Sequence, residues 1–197
     1  MTSLCLNAAY VLVTPPVEEP IPLRDLDLLK VHLRVDTADD NLLLQEYIVA
    51  ARVYLEKVVS FMLMRQTWDL CLDFFPSTIE IRKRPVSSIA SISYSDADGA
   101  AQTLDPATYY IDVNSFFARV VPVQGTWPTT QRRPGAVTVR FSGGADKPED
   151  VDPVFRQALK LHVALLYANR EPITAEKIEK VPLAYDALVG TERAIPV

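Results

Sequence analysis

The sequence predicts an α+β fold, in which helices from both ends of the chain pack together while an inserted antiparallel β block projects from them. Two observations carry this expectation. Apolar residues recur at helical spacing over residues 22–62 and again over 153–170, whereas between about 66 and 142 the period changes to two. The chain also holds 15 prolines against 6 glycines in 197 residues, a balance that favours stiff, extended connections over flexible linkers.

Residues 1–21 read as an extended arm. Ala8–Val13 is an apolar run suited to an edge strand, and prolines at 15, 16, 20 and 22 forbid an early helix. Pro22 suits the first position of a helix over 22–34. Asp25 and Asp27 lie in its first turn and Lys30, His32 and Arg34 in its last, matching the helix dipole. Thr37 is the expected cap of a longer helix over 38–62, with Asp39 and Asp40 in its first turn.

That second helix has two apolar stripes. One runs through Leu44, Ile48, Ala51, Leu55, Val58 and Met62, the other through Leu43, Tyr47, Ala50, Tyr54 and Phe61. The polar remainder (Asn41, Gln45, Arg52, Glu56) is narrow. Two stripes on a helix of about 22 residues, roughly 33 Å long, exceed the needs of one small core. Either the helix runs through the middle of the fold or one stripe faces another subunit. Leu43, Tyr47, Tyr54 and Phe61 are therefore candidate subunit-interface residues.

In the β block, Trp68, Leu70, Leu72 and Phe74 alternate with Asp69, Cys71 and Asp73. Short strands follow at 79–81, 89–94, 102–104, 109–112, 119–122 and 137–141, with Asp96-Ala97-Asp98-Gly99 as a hairpin turn. The expectation is a meander of about seven strands, closed as a small barrel or folded as a sheet. Asp152 and Pro153 cap and open a third helix over 153–170, which Pro172 ends. A mixed-charge linker, a short helix over 182–189 stopped by Gly190, and a tail over 191–197 complete the chain. The domain organisation is thus an arm (1–21), one domain (22–190, with its β insertion at 66–142) and a tail (191–197).

The chemistry-bearing residues form no catalytic constellation. Asp96-x-Asp98-Gly99 has glycine at the fourth position, where a calcium loop needs it at the sixth. Ser142-Gly143-Gly144 lacks the Lys-Ser/Thr of a phosphate loop. With only His32 and His162, a histidine triad or multi-histidine metal site has little to draw on, and no cofactor or metal is expected. Cys5 and Cys71 form no CxxC pair and read as two reduced thiols of a cytosolic chain. No apolar run approaches the roughly 20 residues of a membrane span.

The net charge of −5 argues against a protein that grips DNA phosphates, though not against a surface that DNA slides past. The sharpest basic cluster is Arg132-Arg133 beside Trp127-Pro128, a loop able to contact nucleic acid or an acidic neighbour. A nucleic-acid-binding accessory protein using these three residues is the alternative function.

An ordered series of motifs adds to this. It runs Val35-Asp36, Asp39-Asp40-Asn41, Tyr47-Ile48-x-Ala50-Ala51-Arg52-x-Tyr54-x-Glu56, Gln66-Thr67-Trp68 and Phe75-Pro76. It continues with Arg84-Pro85-Val86-x-Ser88-Ile89, Asp98-Gly99, Trp127-Pro128, Arg133-Pro134-x-Ala136-Val137 and Gly143-Gly144, and closes with Pro153 through Tyr167-x-Asn169-Arg170-Glu171. Over roughly 22–190 this order resembles the head–tail connector (adaptor) family of tailed double-stranded DNA phages, prophages and gene transfer agents. Relatives often have a glycine-containing turn before Gln-Thr-Trp. Lys57–Arg65 has no glycine, which predicts a longer second helix.

The resemblance implies a non-enzymatic structural subunit at the head–tail junction of a virion or virus-like particle, made in the bacterial cytoplasm. It implies a ring of about twelve copies that sits under a portal protein and offers a platform to the next tail component, a stopper or tail terminator. DNA would pass through the ring without specific binding, and no membrane is involved. Family members contact the portal partly through C-terminal segments, which here makes Tyr185, Leu188, Val189, Arg193 and Ile195 candidate portal or tail contacts.

Overall fold

The computed structural model describes residues 8–169 together with Tyr185 and Gly190. The fold is α+β. In chain order the elements are β1 (Ala8–Thr14), a short 3-10 turn (Leu23–Asp25), α1 (Leu26–Leu33) and α2 (Asn41–Val59). The β block follows as β2 (Gln66–Leu72), β3 (Ile79–Ile81), β4 (Ser88–Ser95), β5 (Ala101–Thr103), β6 (Tyr109–Asp112), β7 (Ala118–Pro122) and β8 (Val137–Gly143), and is followed by α3 (Pro153–Ala168). These divide into two compact units. One comprises residues 1–16 and 65–144, the other residues 17–64 and 145–197.

In the β unit, the larger sheet has the order β1-β2-β8-β4-β5, with every neighbouring pair antiparallel. This corrects the expected meander, because the last strand lies between the first and the middle ones. Alternation explains the choice: β8 turns Val137, Val139 and Phe141 inward with no exposure at all, and such a strand belongs at a sheet centre. Its register sets Val139 opposite both Leu70 and Ile92. A second sheet, β3-β7-β6, places Ile79 opposite Val120 and Ile81 opposite Ala118. The block is therefore two open sheets. The run Ala8–Val13 does form an edge strand, as expected, with Tyr10 set edge-on 6.2 Å from Phe141. The Tyr10 hydroxyl accepts from the Arg82 N–H just beyond β3.

In the helical unit, one core joins α1, α2 and α3. Leu29 of α1, Leu44, Ile48 and Leu55 of α2, and Phe155 and Leu159 of α3 contribute fully or almost fully buried side chains. Burial of each such side chain stabilises the unit by about 1.5–3 kcal/mol. Asp152 caps α3 as expected, accepting from the Val154 N–H at 2.8 Å. The start of α2 departs from expectation. Thr37 does not cap it; the residue before the helix is Asp40, whose carboxylate instead accepts from the Tyr167 hydroxyl of α3.

The end of α2 departs too. The helix stops at Val59 and does not run on to 62. Ser60 takes the left-handed conformation (φ 52°) that glycine usually supplies, and the Phe61 N–H returns to the Glu56 carbonyl. The Glu56 side chain then accepts from the Leu63 N–H at 2.9 Å. A carboxylate and a strained serine thus replace the missing glycine turn. Apart from Tyr185, which is helical, the expected helix over 182–189 lies outside the described residues.

Candidate assembly surfaces

The first acid of the hairpin is occupied with the fold. Asp96 accepts from the N–H groups of Asp98 and Ala100 and from the Gln102 amide, and these bonds, Gln102 foremost, hold its carboxyl below the ordinary value. Gly99 has φ 85°, so the segment is a hairpin turn. Among the described residues no three His, Cys, Asp or Glu side chains are grouped to hold a metal ion. Among the described residues, too, no helix is long and apolar enough to cross a membrane. Cys71 is a free, half-buried thiol, and Cys5 lies outside the described residues.

Along α2 the interface candidates separate. Leu43, Tyr47 and Phe61 are half-buried. Tyr47 and Phe61 pack against the unit's own core, with the Phe61 ring 4.8 Å from Phe155. Tyr54 is 44% exposed. The side chains most open to solvent include three that the stripes did not single out: Leu42 (75% exposed), Val49 and Val53. Spacings of seven and four put these on one face. A groove of about 380 Å³ adjoins that face, lined among others by Val17, Ile21, Gln45 and Val49. On α1, Leu28 and Val31 are also largely exposed.

Arg52 and Glu56, which the sequence counts in the narrow polar remainder of the helix, are buried. Arg52 donates to Glu19 at 2.6 Å and to Glu56 at 2.9 Å. Burial alone would lower the guanidinium pKa, but the Glu19 hydrogen bond and the two carboxylate charges outweigh it and raise the pKa above the usual arginine value. The readable signal was the Arg-x-x-x-Glu spacing, which sets the two side chains on one helix face.

The C-terminal candidates divide as well. Tyr185 is 1% exposed and belongs to the helical core, so it offers no surface to a partner in this conformation. It meets His162 edge-on at 5.3 Å, and His162 in turn meets Tyr54 at 4.8 Å. Burial pushes the His162 pKa down. Leu188, Val189, Arg193 and Ile195 lie outside the described residues.

In the β unit the loop candidates converge. Trp127, Arg132 and Arg133 line one cleft of about 810 Å³ together with Phe75 and Pro128. Trp127 stacks on Phe75 at 4.9 Å and 10° between planes, and Arg133 donates to the Ser95 hydroxyl at 2.7 Å. Other cations of this unit are engaged elsewhere. Arg82, Arg119 and Arg140 pair with Glu80, Asp112 and Asp69, while Lys83 lies 3.8 Å over Trp68 and Arg84 lies 4.2 Å over Phe116.

Against known proteins, neither a family model nor a curated protein matches the sequence. Solved structures do match the fold. One is a chain from the neck of an empty GTA particle computed with C6 symmetry, at TM-score 0.79 and 21% identity, covering 96% of this chain and 97% of that one. A second is from the virion of a native gene transfer agent (GTA) particle, at TM-score 0.78, 20% identity and coverage of 95% and 96%. A third, from the neck of a native GTA particle computed with C12 symmetry, has TM-score 0.72 at 20% identity, with coverage of 98% and 97%.

The chain has the fold of a GTA neck chain.

The neck-chain fold spans both units, because the likeness runs over nearly the whole of each chain. It agrees with the resemblance carried by the ordered motifs, which also covers both units. The departure noted in those motifs, the glycine-free stretch before Gln66, is absorbed locally at Ser60 and Glu56.

Proposed function

We propose that this chain is a structural subunit of the neck of a phage-like or gene-transfer-agent particle, a connector that forms a ring between the portal and the following tail component and extends the DNA channel. The observation that carries this reading is the near-complete, two-unit likeness to neck chains from particles computed with C6 and C12 symmetry. Two features support it. Large apolar side chains at Leu28, Val31, Leu42, Val49 and Val53 lie in solvent on α1 and α2, and a subunit that covers such surface with neighbours gains what a monomer leaves exposed. Identical copies can join head to tail through two different surfaces and close a ring. The proposed contact segments are the arm (1–21) and the tail (191–197) that flank one connector domain (22–190), and the long helix within that domain; DNA passes without specific binding.

The test is imaging of the purified chain with portal rings by negative stain. The expected result is a second ring stacked coaxially on the portal. A chain that stays monomeric with and without portal rules the reading out.

A further inference from the structure

Charge is divided unequally between the two units. Residues 1–16 and 65–144 carry eight Lys or Arg against seven Asp or Glu, a net of +1, while the remaining residues carry twelve against eighteen, a net of −6. Within the β unit, Arg132 is exposed and makes no hydrogen bond or ion pair among the described residues. It lines the Trp127 cleft with Arg133, whose guanidinium is held by Ser95. The aromatic wall is fixed by the Trp127–Phe75 stack and by the edge-on contact of Phe75 with Tyr94 at 5.5 Å. The Trp127 indole N–H has no acceptor among the described residues. Buried donors in native proteins nearly always have one. The carboxylate of Asp73 also lines the cleft, with one oxygen taken by the Gly135 N–H at 2.9 Å. One acid against two guanidinium groups leaves the cleft cationic.

On the helical unit, Asp36 and Asp39 are exposed and likewise make no bond or ion pair among the described residues. We infer that the Trp127 cleft is the seat for the acidic Asp36–Asp39 segment of a second copy of this chain. A guanidinium fork binds a carboxylate through paired N–H groups, and the aromatic wall excludes water from that contact. A nucleic-acid backbone fits less well. It needs a track of cations, and Arg82, Arg119 and Arg140 of this unit are already paired with acids. A contact from the β unit of one copy to the helical unit of the next is heterologous, the type that generates rings. This inference rests on the ring reading proposed above.

The site itself is tested without a ring. Trp68→Phe leaves Trp127 as the sole tryptophan of the two in the chain, and its emission is followed while an acetylated, amidated peptide of residues 35–41 is titrated in. The expected result is a saturable change in emission, weakened at least tenfold by Arg132→Glu in a chain of unchanged Tm. No change with the peptide overturns the inference. So does a response to a duplex DNA oligonucleotide in place of the peptide. Sedimentation velocity under ring-forming conditions then reads the assembly. Arg132→Glu and the pair Asp36→Lys with Asp39→Lys each raise the concentration needed for assembly at least tenfold, and the three changes combined in one chain restore it. Rings that tolerate Arg132→Glu overturn the inference while the connector reading stands. Absence of rings from the wild-type chain both with and without portal removes the connector reading, and the second-copy seat with it.

Discussion

Arg52 holds two carboxylates in a place nearly closed to water, with its own side chain 8% and that of Glu56 9% exposed. Removing one partner of such a cluster strands the other as an uncompensated buried charge. Arg52→Met is therefore expected to destabilise the chain by about 3–5 kcal/mol, read as a lower urea midpoint at unchanged slope. His162 shifts its pKa in the opposite direction from Arg52. It is half-buried between Tyr54 and Tyr185, and burial lowers its pKa, so the folded state holds it neutral where the unfolded chain already binds a proton. Stability from this residue is present above the unfolded histidine value of about 6.5. It is lost as pH falls from there toward the lower folded value. Thermal melts from pH 7.5 down to 5.5 should show a falling Tm for the wild type and a shallower fall for His162→Phe. Equal slopes would remove the assignment. The buried role of Arg52 was only partly legible in the sequence, where it counted among the polar remainder of the second helix and only its spacing to Glu56 hinted at a pair. Pattern reading assigns charged residues to solvent and cannot see a partner 33 positions away, as Glu19 is.

Elements were legible in proportion to the length of their repeat. The alternation of Trp68, Leu70 and Leu72, the hairpin at Asp96–Gly99 and the cap at Asp152 all stand as the sequence suggests. Strand order was not legible, because a period of two tells which side chains share a face and says nothing of which strands are neighbours. Helix ends were misjudged where an unusual residue does the work. Ser60, at φ 52°, carries the strain of a non-glycine residue in the left-handed region. Ser60→Gly is expected to hold stability or raise it by up to about 1 kcal/mol, and the branched Ser60→Val to lower it by about 1–2 kcal/mol, both by chemical denaturation. The edge strand β1 offers a second test. It exposes Val11 and Val13 yet pairs with β2 from Ala8 to Thr14, broken only by a register shift at Val13, so its backbone bonds matter to the unit more than those side chains do. Val11→Thr and Val13→Thr should change stability by less than about 0.5 kcal/mol, whereas Leu70→Ala, in the core of the same sheet, should cost about 2–5 kcal/mol.

For the molecule as a whole, the two routes to the fold carried different information. Periodicity gave helices around a β block, while the ordered motifs over residues 22–190 gave the particular fold that the GTA neck chains share. What neither gave was the surface, since an exposed leucine such as Leu42 reads like its buried neighbour Leu44 until the helix phase is fixed by packing. That surface bears on the one rival reading, a nucleic-acid-binding accessory protein. Duplex DNA is held mainly by cations that displace its condensed counterions, so affinity scales with the number of free Lys and Arg that reach phosphates. Here the chain carries −5 overall, and in the β unit Arg82, Arg119 and Arg140 are matched with acids. Fluorescence anisotropy with a labelled duplex at low and at physiological salt should therefore give no saturable binding at physiological salt and a shallow salt dependence below it. A steep linear fall of log affinity against log salt, worth several phosphate contacts, would sink this prediction and return Arg132 and Arg133 to the nucleic-acid reading.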